Sequence, residues 1–166
     1  ALTPGRHQPG FEEADTSVRA AVVLYGIYDF VNRNRTRFDW PVIPFRVMKA
    51  SLTEAPDRYR EASPLDQIHH EAPPILVVHG THDSLVPPDE GIVFARAMEA
   101  AGAPTELLEV KWAQHAFDVM AGARSRALAV RVERFLDSSM AAADLASERI
   151  IPEGDRPDNT ASDAAS

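Results

Sequence analysis

The sequence predicts an α/β fold in which about three parallel strands are flanked by helices. Short apolar runs alternate with segments of helical periodicity, and this alternation is typical of parallel strands joined by helical crossovers. The second run, at residues 75–78, is apolar at every position, which indicates a strand buried on both faces of the sheet. A chain of 166 residues is long enough to form one domain around such a core.

The three apolar runs are the predicted strands. The first covers residues 20–28 and is expected to end near Gly26. The central run follows two prolines and ends at His79 and Gly80, and the third covers residues 105–112. Three strands with one or two covering helices leave an edge and some apolar surface of the sheet unmatched. We therefore expect the chain to be part of a larger sheet.

Two helices are predicted from apolar residues at helical spacing. The first, at residues 89–101, begins with Asp89 and Glu90, whose charges favour the N-terminal end of a helix, and Gly102 follows it as a stop signal. The second, at residues 124–140, has an apolar face and a face that carries arginines.

The segment after the first strand and the end of the chain carry weaker patterns. Residues 30–39 are polar and contain arginines, which fits a solvated loop, with a substrate lid or a contact to another domain as the alternatives. Residues 41–51 fit a short helix over the site or a segment that covers the core, and residues 54–70 fit a short helix and a turn. We expect a partial domain at residues 1–145 and a disordered acidic tail at residues 146–166.

Composition excludes several classes of function. The net charge is −8 and the isoelectric point is near 5.2, which argues against a nucleic-acid or other phosphate-binding surface. The absence of cysteine excludes disulfides and thiolate metal sites. No apolar run reaches the length of a membrane span and no signal peptide is recognised, so a cytoplasmic location is expected.

An acid and a histidine follow two successive predicted strands. Asp83 lies just past the central strand, and His115 lies just past the third. Parallel strands place their carboxyl ends at one edge of the sheet, where open α/β sheets carry their chemistry. Asp83 and His115 can therefore meet there as the acid and base of a nucleophilic triad.

Other polar residues near these strands are expected to have structural roles. We predict that His79 is packed and hydrogen-bonded on the strand, and that His82 and Ser84 are loop residues. A metal site is disfavoured because positions 79 and 82 point to opposite faces if the strand continues, so one ion cannot easily bind both. No metal and no cofactor is predicted.

A family resemblance rests on the loop HGTHDSLVPP, which is followed by a helix, a strand and the histidine of QHAFD. This order resembles the C-terminal half of an α/β-hydrolase, within the esterase and lipase group related to hormone-sensitive lipases and feruloyl-esterase-like carboxylesterases. The resemblance covers about residues 1–140, and the stretch of residues 8–29 looks like the segment that follows the nucleophile helix. It implies that Asp83 is the triad acid, that His115 is the general base, and that the full-length enzyme acts on a small-molecule ester.

The sequence also departs from that family pattern. It contains neither the G-x-S-x-G nucleophile pentapeptide nor an HGGG-type oxyanion loop, both of which the resemblance places upstream. We therefore expect a C-terminal portion of a serine carboxylic-ester hydrolase that is inactive alone. A part of a prolyl-oligopeptidase-like serine peptidase and a non-catalytic product of a truncated gene are the alternatives. Acyl and alcohol specificity and oligomeric state are left open.

Overall fold

The computed structural model describes residues 10–11, 13–38 and 41–150. Its regular elements, in chain order, are β1 (Ala21–Leu24), a π-helix (Ile43–Met48), α1 (Pro56–Ala62), a 3-10 helix (Pro64–Gln67), β2 (Ile75–Gly80), α2 (Asp89–Ala100), β3 (Thr105–Val110) and α3 (Ala123–Ile150).

The three strands form one parallel sheet in the order β1-β2-β3. Val22 pairs with Leu76 across the first pair of strands, and Val77 pairs with Leu107 across the second. Every residue of the central strand is buried, because it has a strand on each side and a helix on each face. The predicted three-stranded parallel sheet is confirmed.

Alternate residues of β2 pack against different helices. Val77 lies in a cluster with Phe94 and Met98 of α2, whereas Leu76 lies in a cluster with Phe135 of α3. Full burial of such a side chain contributes about 1.5–3 kcal/mol to folding, so the central strand is the main apolar anchor of the sheet. Its carboxyl end, where Asp83 follows, is thereby held in place.

The crossover segment, residues 25–74 between β1 and β2, forms a small core of its own. Ile43 and Met48 of the π-helix pack with Tyr59 of α1, and Phe30 and Val31 contact this cluster from the side. The structure therefore places a π-helix where the sequence at residues 41–51 predicted a short helix or a segment covering the core.

Two predicted strands are shorter than expected. β1 ends at Leu24 rather than near Gly26, and β3 ends at Val110 rather than at Trp112. Tyr25 has φ of +39° and Trp112 has φ of +61°, and a residue in this left-handed region turns the chain out of the extended ladder. The sequence prediction placed both strand ends too late because Tyr25 and Trp112, at these turns, continue the apolar runs.

The last helix is longer than predicted. It runs over Ala123–Ile150 instead of residues 124–140, and so it crosses the predicted domain boundary at residue 145. The reason is that residues 141–146 contain four alanines, which favour helix more than any other residue. Residues 146–150 continue this helix, the other residues of the predicted tail lie outside the described residues, and the predicted disordered tail stays a prediction. No helix in the described part of the chain could span a membrane.

Candidate active site

The acid loop, residues 81–88 after β2, buries the carboxylate of Asp83. One oxygen, Oδ1, accepts hydrogen bonds from the backbone N–H groups of Leu85 at 2.9 Å and Val86 at 2.8 Å. An aspartate that binds N–H groups two and three residues ahead folds the chain into a tight local turn. The other oxygen, Oδ2, is left to face the neighbouring loop.

The histidine loop, residues 111–122 after β3, brings His115 to that free oxygen. Nδ1 of His115 lies 2.8 Å from Oδ2 of Asp83. A carboxylate can only accept, so this bond places the proton of the imidazole on Nδ1 and leaves a lone pair on Nε2. The side chain of His115 is 27% exposed, and Nε2 has no hydrogen-bond partner among the described residues. The ring can therefore take a proton from a group outside this part of the chain.

A close approach of the two loops makes this meeting possible. A Cβ atom on Gly80 would lie 2.4 Å from the carbonyl oxygen of Ala113, so only glycine fits at the end of β2. The same carbonyl accepts a hydrogen bond from the N–H of His82 at 3.0 Å. Gln114 adds a second link between the two loops. Its Oε1 accepts hydrogen bonds from the backbone N–H of Ser84 at 3.2 Å and from the Ser84 hydroxyl at 3.1 Å.

The structure brings together the two residues that the sequence singled out, and His79 lies against the same carboxylate, whereas Ser84 and His82 make other contacts. Asp83 and His115 are paired, whereas Ser84 uses its hydroxyl within the loops. His82 is exposed, and its ring lies 4.3 Å from that of Trp112. His79 is fully buried, as its place in the strand predicted.

Tyr25 is a site residue that the sequence analysis missed. Its ring contacts the imidazole of His115 edge-to-face, with 4.5 Å between ring centroids. Its hydroxyl donates a hydrogen bond to Oδ1 of Asp118 at 2.9 Å. Burial raises the pKa of Tyr25, and the hydrogen bond to Asp118 raises it further, so the phenol keeps its proton. Tyr25 lies at the carboxyl end of β1, and that position was the signal available in the sequence.

A buried ionic cluster fixes the crossover segment beside the acid loop. Glu90, in the first turn of α2, accepts hydrogen bonds from the backbone N–H groups of Tyr28 at 3.0 Å and Asp29 at 3.3 Å. Its Oε1 lies 3.6 Å from Nε of Arg37, which donates from Nη2 to the carbonyl of Asp29. Arg37 is therefore buried, and the expectation that residues 30–39 form a solvated loop was wrong for this residue.

A cavity of about 580 Å³ opens between the crossover segment and the acid loop. Its lining is half apolar and half polar or charged: Val31, Phe38, Leu52 and Pro87 on the one hand, and Asn32, Arg35, Thr36 and Arg37 on the other. This is the size range of pockets that hold small organic ligands.

Among the described residues no group of three or more histidines and carboxylates is arranged to hold a metal ion.

Comparison with known proteins gives the family. Residues 13–142 match the prolyl oligopeptidase family. The esterase LipQ of Mycobacterium tuberculosis is 42% identical over 131 residues, which are 78% of this chain and 31% of that protein. The probable carboxylic ester hydrolase LipM of the same organism is 41% identical over 141 residues, or 82% of this chain and 33% of that protein. The chain thus spans about a third of the length of these relatives.

Solved structures share the fold. A truncated carbohydrate esterase from gut microbiota superimposes with a TM-score of 0.64 at 19% identity, covering 78% of this chain and 46% of that one. Native esterase 2 of Thermogutta terrifontis gives a TM-score of 0.54 at 23% identity, covering 92% of this chain and 50% of that one. With its three parallel strands, its flanking helices and its family match, this chain belongs to the prolyl oligopeptidase family and has the α/β-hydrolase fold.

Proposed function

We propose that this chain supplies the acid and the base of a serine carboxylic-ester hydrolase. The observation that carries the proposal is the 2.8 Å contact between Oδ2 of Asp83 and Nδ1 of His115 at the carboxyl edge of the sheet. The buried carboxylate fixes the ring, and the second ring nitrogen is free to accept a proton. This is the arrangement of the acid and base in a nucleophilic triad.

In the first half of the proposed reaction, His115 makes one proton transfer in each direction. Nε2 takes the proton of a serine hydroxyl as that oxygen attacks the ester carbonyl, and it returns the proton to the alkoxide that leaves. The carboxylate of Asp83 stabilises the imidazolium formed between these steps and keeps its Nδ1–H in place. A water molecule then uses the same base to release the acid product.

The nucleophile in this proposal belongs to polypeptide outside these 166 residues. The sequence has no G-x-S-x-G pentapeptide, and the described serine nearest in sequence to Asp83 donates its hydroxyl to Gln114. The relatives are about three times as long as the matched region. A reading frame that encodes G-x-S-x-G and an HGGG-type loop upstream of Ala1 would supply the serine and the oxyanion donors. The expected cytoplasmic location stays a prediction.

Ester hydrolysis is favoured over peptide hydrolysis by the relatives. LipQ is named as an esterase, and LipM is named as a probable carboxylic ester hydrolase. The family match keeps a prolyl-oligopeptidase-like peptidase as the second candidate. Parallel assays with p-nitrophenyl butyrate and with a proline-containing peptide p-nitroanilide separate the two, because we expect turnover of the ester alone.

The test uses the polypeptide encoded by the complete reading frame. We expect Asp83→Asn and His115→Ala each to lower kcat for p-nitrophenyl butyrate by about 10³- to 10⁴-fold, since the base loses its orientation in one variant and is absent in the other. Ser84→Ala is the matched control and should stay within a few-fold of the unmodified enzyme. Unchanged turnover in either triad variant would remove the assignment.

A further inference from the structure

His79 is a buried histidine for which the proposed reaction has no use. It lies in β2 and its side chain is 0% exposed. Nε2 lies 2.9 Å from the carbonyl oxygen of Val86 and 3.5 Å from Oδ2 of Asp83. Nδ1 has no hydrogen-bond partner among the described residues. Two histidines thus face the same oxygen of Asp83: His79 from β2 and His115 from the histidine loop.

The contact with Val86 fixes the tautomer of the His79 ring. A backbone carbonyl can only accept a hydrogen bond, so the shared proton must be on Nε2 of His79. Nε2 also lies 3.5 Å from Oδ2 of Asp83, so the positive end of its N–H dipole is close to the carboxylate and the interaction is favourable. Nδ1 then carries the lone pair and faces helix α2.

The sequence of α2 leaves space for this ring. A Cβ atom on Gly91 would lie 2.8 Å from Nδ1 of His79. Glycine is a poor helix former, yet it occupies the third position of this helix, where any other side chain would displace the imidazole. The imidazole therefore fits against the helix because residue 91 has no side chain.

Val86 connects His79 to the acid. Its N–H donates to Oδ1 of Asp83 at 2.8 Å, while its carbonyl accepts from His79 at 2.9 Å. The same peptide segment is held at both ends, so the turn that carries Asp83 has little freedom to rotate. A continuous path of hydrogen bonds then leads from His79 through Val86 and Asp83 to His115.

We infer that His79 is a positioning residue for Asp83, which it holds in the orientation that pairs with His115 by clamping the carbonyl of Val86. The inference rests on the proposed function, because its consequence for catalysis requires that Asp83 and His115 act as acid and base. His79 itself exchanges no proton with substrate. Its contribution is to fix the plane of the carboxylate before the reaction starts.

Two variants of similar size separate this role from simple packing. In His79→Gln the amide nitrogen is as many bonds from Cβ as Nε2 is in histidine, so it can still donate to Val86. In His79→Leu the volume is filled but the donor is lost. In the enzyme from the complete reading frame, we expect the leucine variant to lower kcat on the order of 10²-fold with little change in KM, and the glutamine variant to recover most of the loss.

A second measurement uses the 166-residue chain and requires no activity. With ¹⁵N-labelled histidine, NMR should show His79 as the Nε2–H tautomer and should show a low-field Nδ1–H proton for His115. We expect that proton signal to shift or vanish in His79→Leu and to persist in His79→Gln, with circular dichroism showing that both variants are folded.

The outcomes are distinguishable from a failure of the proposed function. An Nδ1–H tautomer for His79, or an unchanged His115 signal in His79→Leu, would overturn the positioning role. Equal loss of the signal in both folded variants would also overturn it, because packing alone would then explain the effect. If Asp83→Asn leaves ester turnover intact, the proposed function fails while the NMR signature of His79 still stands or falls by itself.

Discussion

Tyr28, near the start of the crossover segment, has a buried phenol that packs in the cluster formed by β2 and α2. Its ring stacks on that of Phe94, with centroids 4.3 Å apart and planes 4° from parallel. The phenol oxygen has no hydrogen-bond partner among the described residues. The nearby backbone of Gly26 nevertheless favours the ionised form and lowers the pKa. Burial is the larger effect, and together with the charge of Glu90 it raises the pKa of Tyr28 to about 12.

This raised pKa predicts a loss of stability at alkaline pH. The unfolded phenol ionises near pH 10, whereas the folded one keeps its proton to about 12. The contribution is therefore present below pH 10 and is lost as the pH rises through the folded value, by about 2–3 kcal/mol. Urea unfolding from pH 9 to 12 measures it. Tyr28→Phe should lack this part of the decline, and parallel curves for both proteins would contradict the pKa.

Some residues of the candidate site could be predicted from the sequence because they follow the predicted end of a strand. Asp83 and His115 each follow an apolar run, and parallel topology brings such positions together. The place of Tyr25 in the candidate site could not be predicted, because an aromatic residue after AVVL is typical of a continuing strand and the sequence does not give its φ of +39°. Arg37 and Glu90 pair across 53 residues of chain, so no local pattern indicates that contact.

At the scale of elements, the site depends on how closely the acid loop approaches the histidine loop. Two backbone hydrogen bonds, each of 3.0 Å, hold the acid loop there: the N–H of Thr81 donates to the carbonyl of Val110 at the end of β3, and the N–H of His82 donates to the carbonyl of Ala113 in the histidine loop. Because backbone groups make these contacts, their geometry depends on the space at Gly80 more than on side-chain identity.

Gly80→Ala tests that dependence. Its Cβ would lie 2.4 Å from the backbone oxygen of Ala113, and a backbone atom cannot turn aside as a flexible side chain does. We expect a loss of about 1–3 kcal/mol in the free energy of unfolding, measured by urea denaturation, and a weakened Asp83–His115 contact in the NMR spectrum. Gly122→Ala is the control, since its Cβ would meet nothing closer than 3.8 Å. Equal stability of the two variants would show that the loops tolerate separation.

The existence and order of the elements were more predictable than their ends. Apolar runs gave all three strands, and helical spacing gave α2 and α3, because burial imposes these periods on the sequence. The ends of β1 and β3 depend on single residues with positive φ, which hydrophobicity does not report. The π-helix over Ile43–Met48 has no periodic signature of its own within its six residues.

At the scale of the molecule, Asp83 and His115 lie at one edge of a sheet whose β1 side has no further strand among the described residues. β1 pairs with β2 on one side, and no described strand pairs with its other side. Nε2 of His115 has no partner among the described residues, although the ring is oriented by Asp83 and packed by Tyr25. In the proposed enzyme, both the strand edge and the ring nitrogen would be completed by polypeptide that contributes the serine.

The isolated 166-residue chain should therefore have no serine hydrolase activity. An imidazole alone cannot form an acyl-enzyme on serine, and in the proposed enzyme the oxyanion donors, worth several kcal/mol, come with the serine from the other polypeptide. We expect no labelling by a fluorophosphonate probe and a p-nitrophenyl butyrate rate equal to that of its His115→Ala variant. Intact-mass spectrometry checks the first and absorbance the second. A labelled serine together with a rate abolished by His115→Ala would mean that the nucleophile lies within these residues after all.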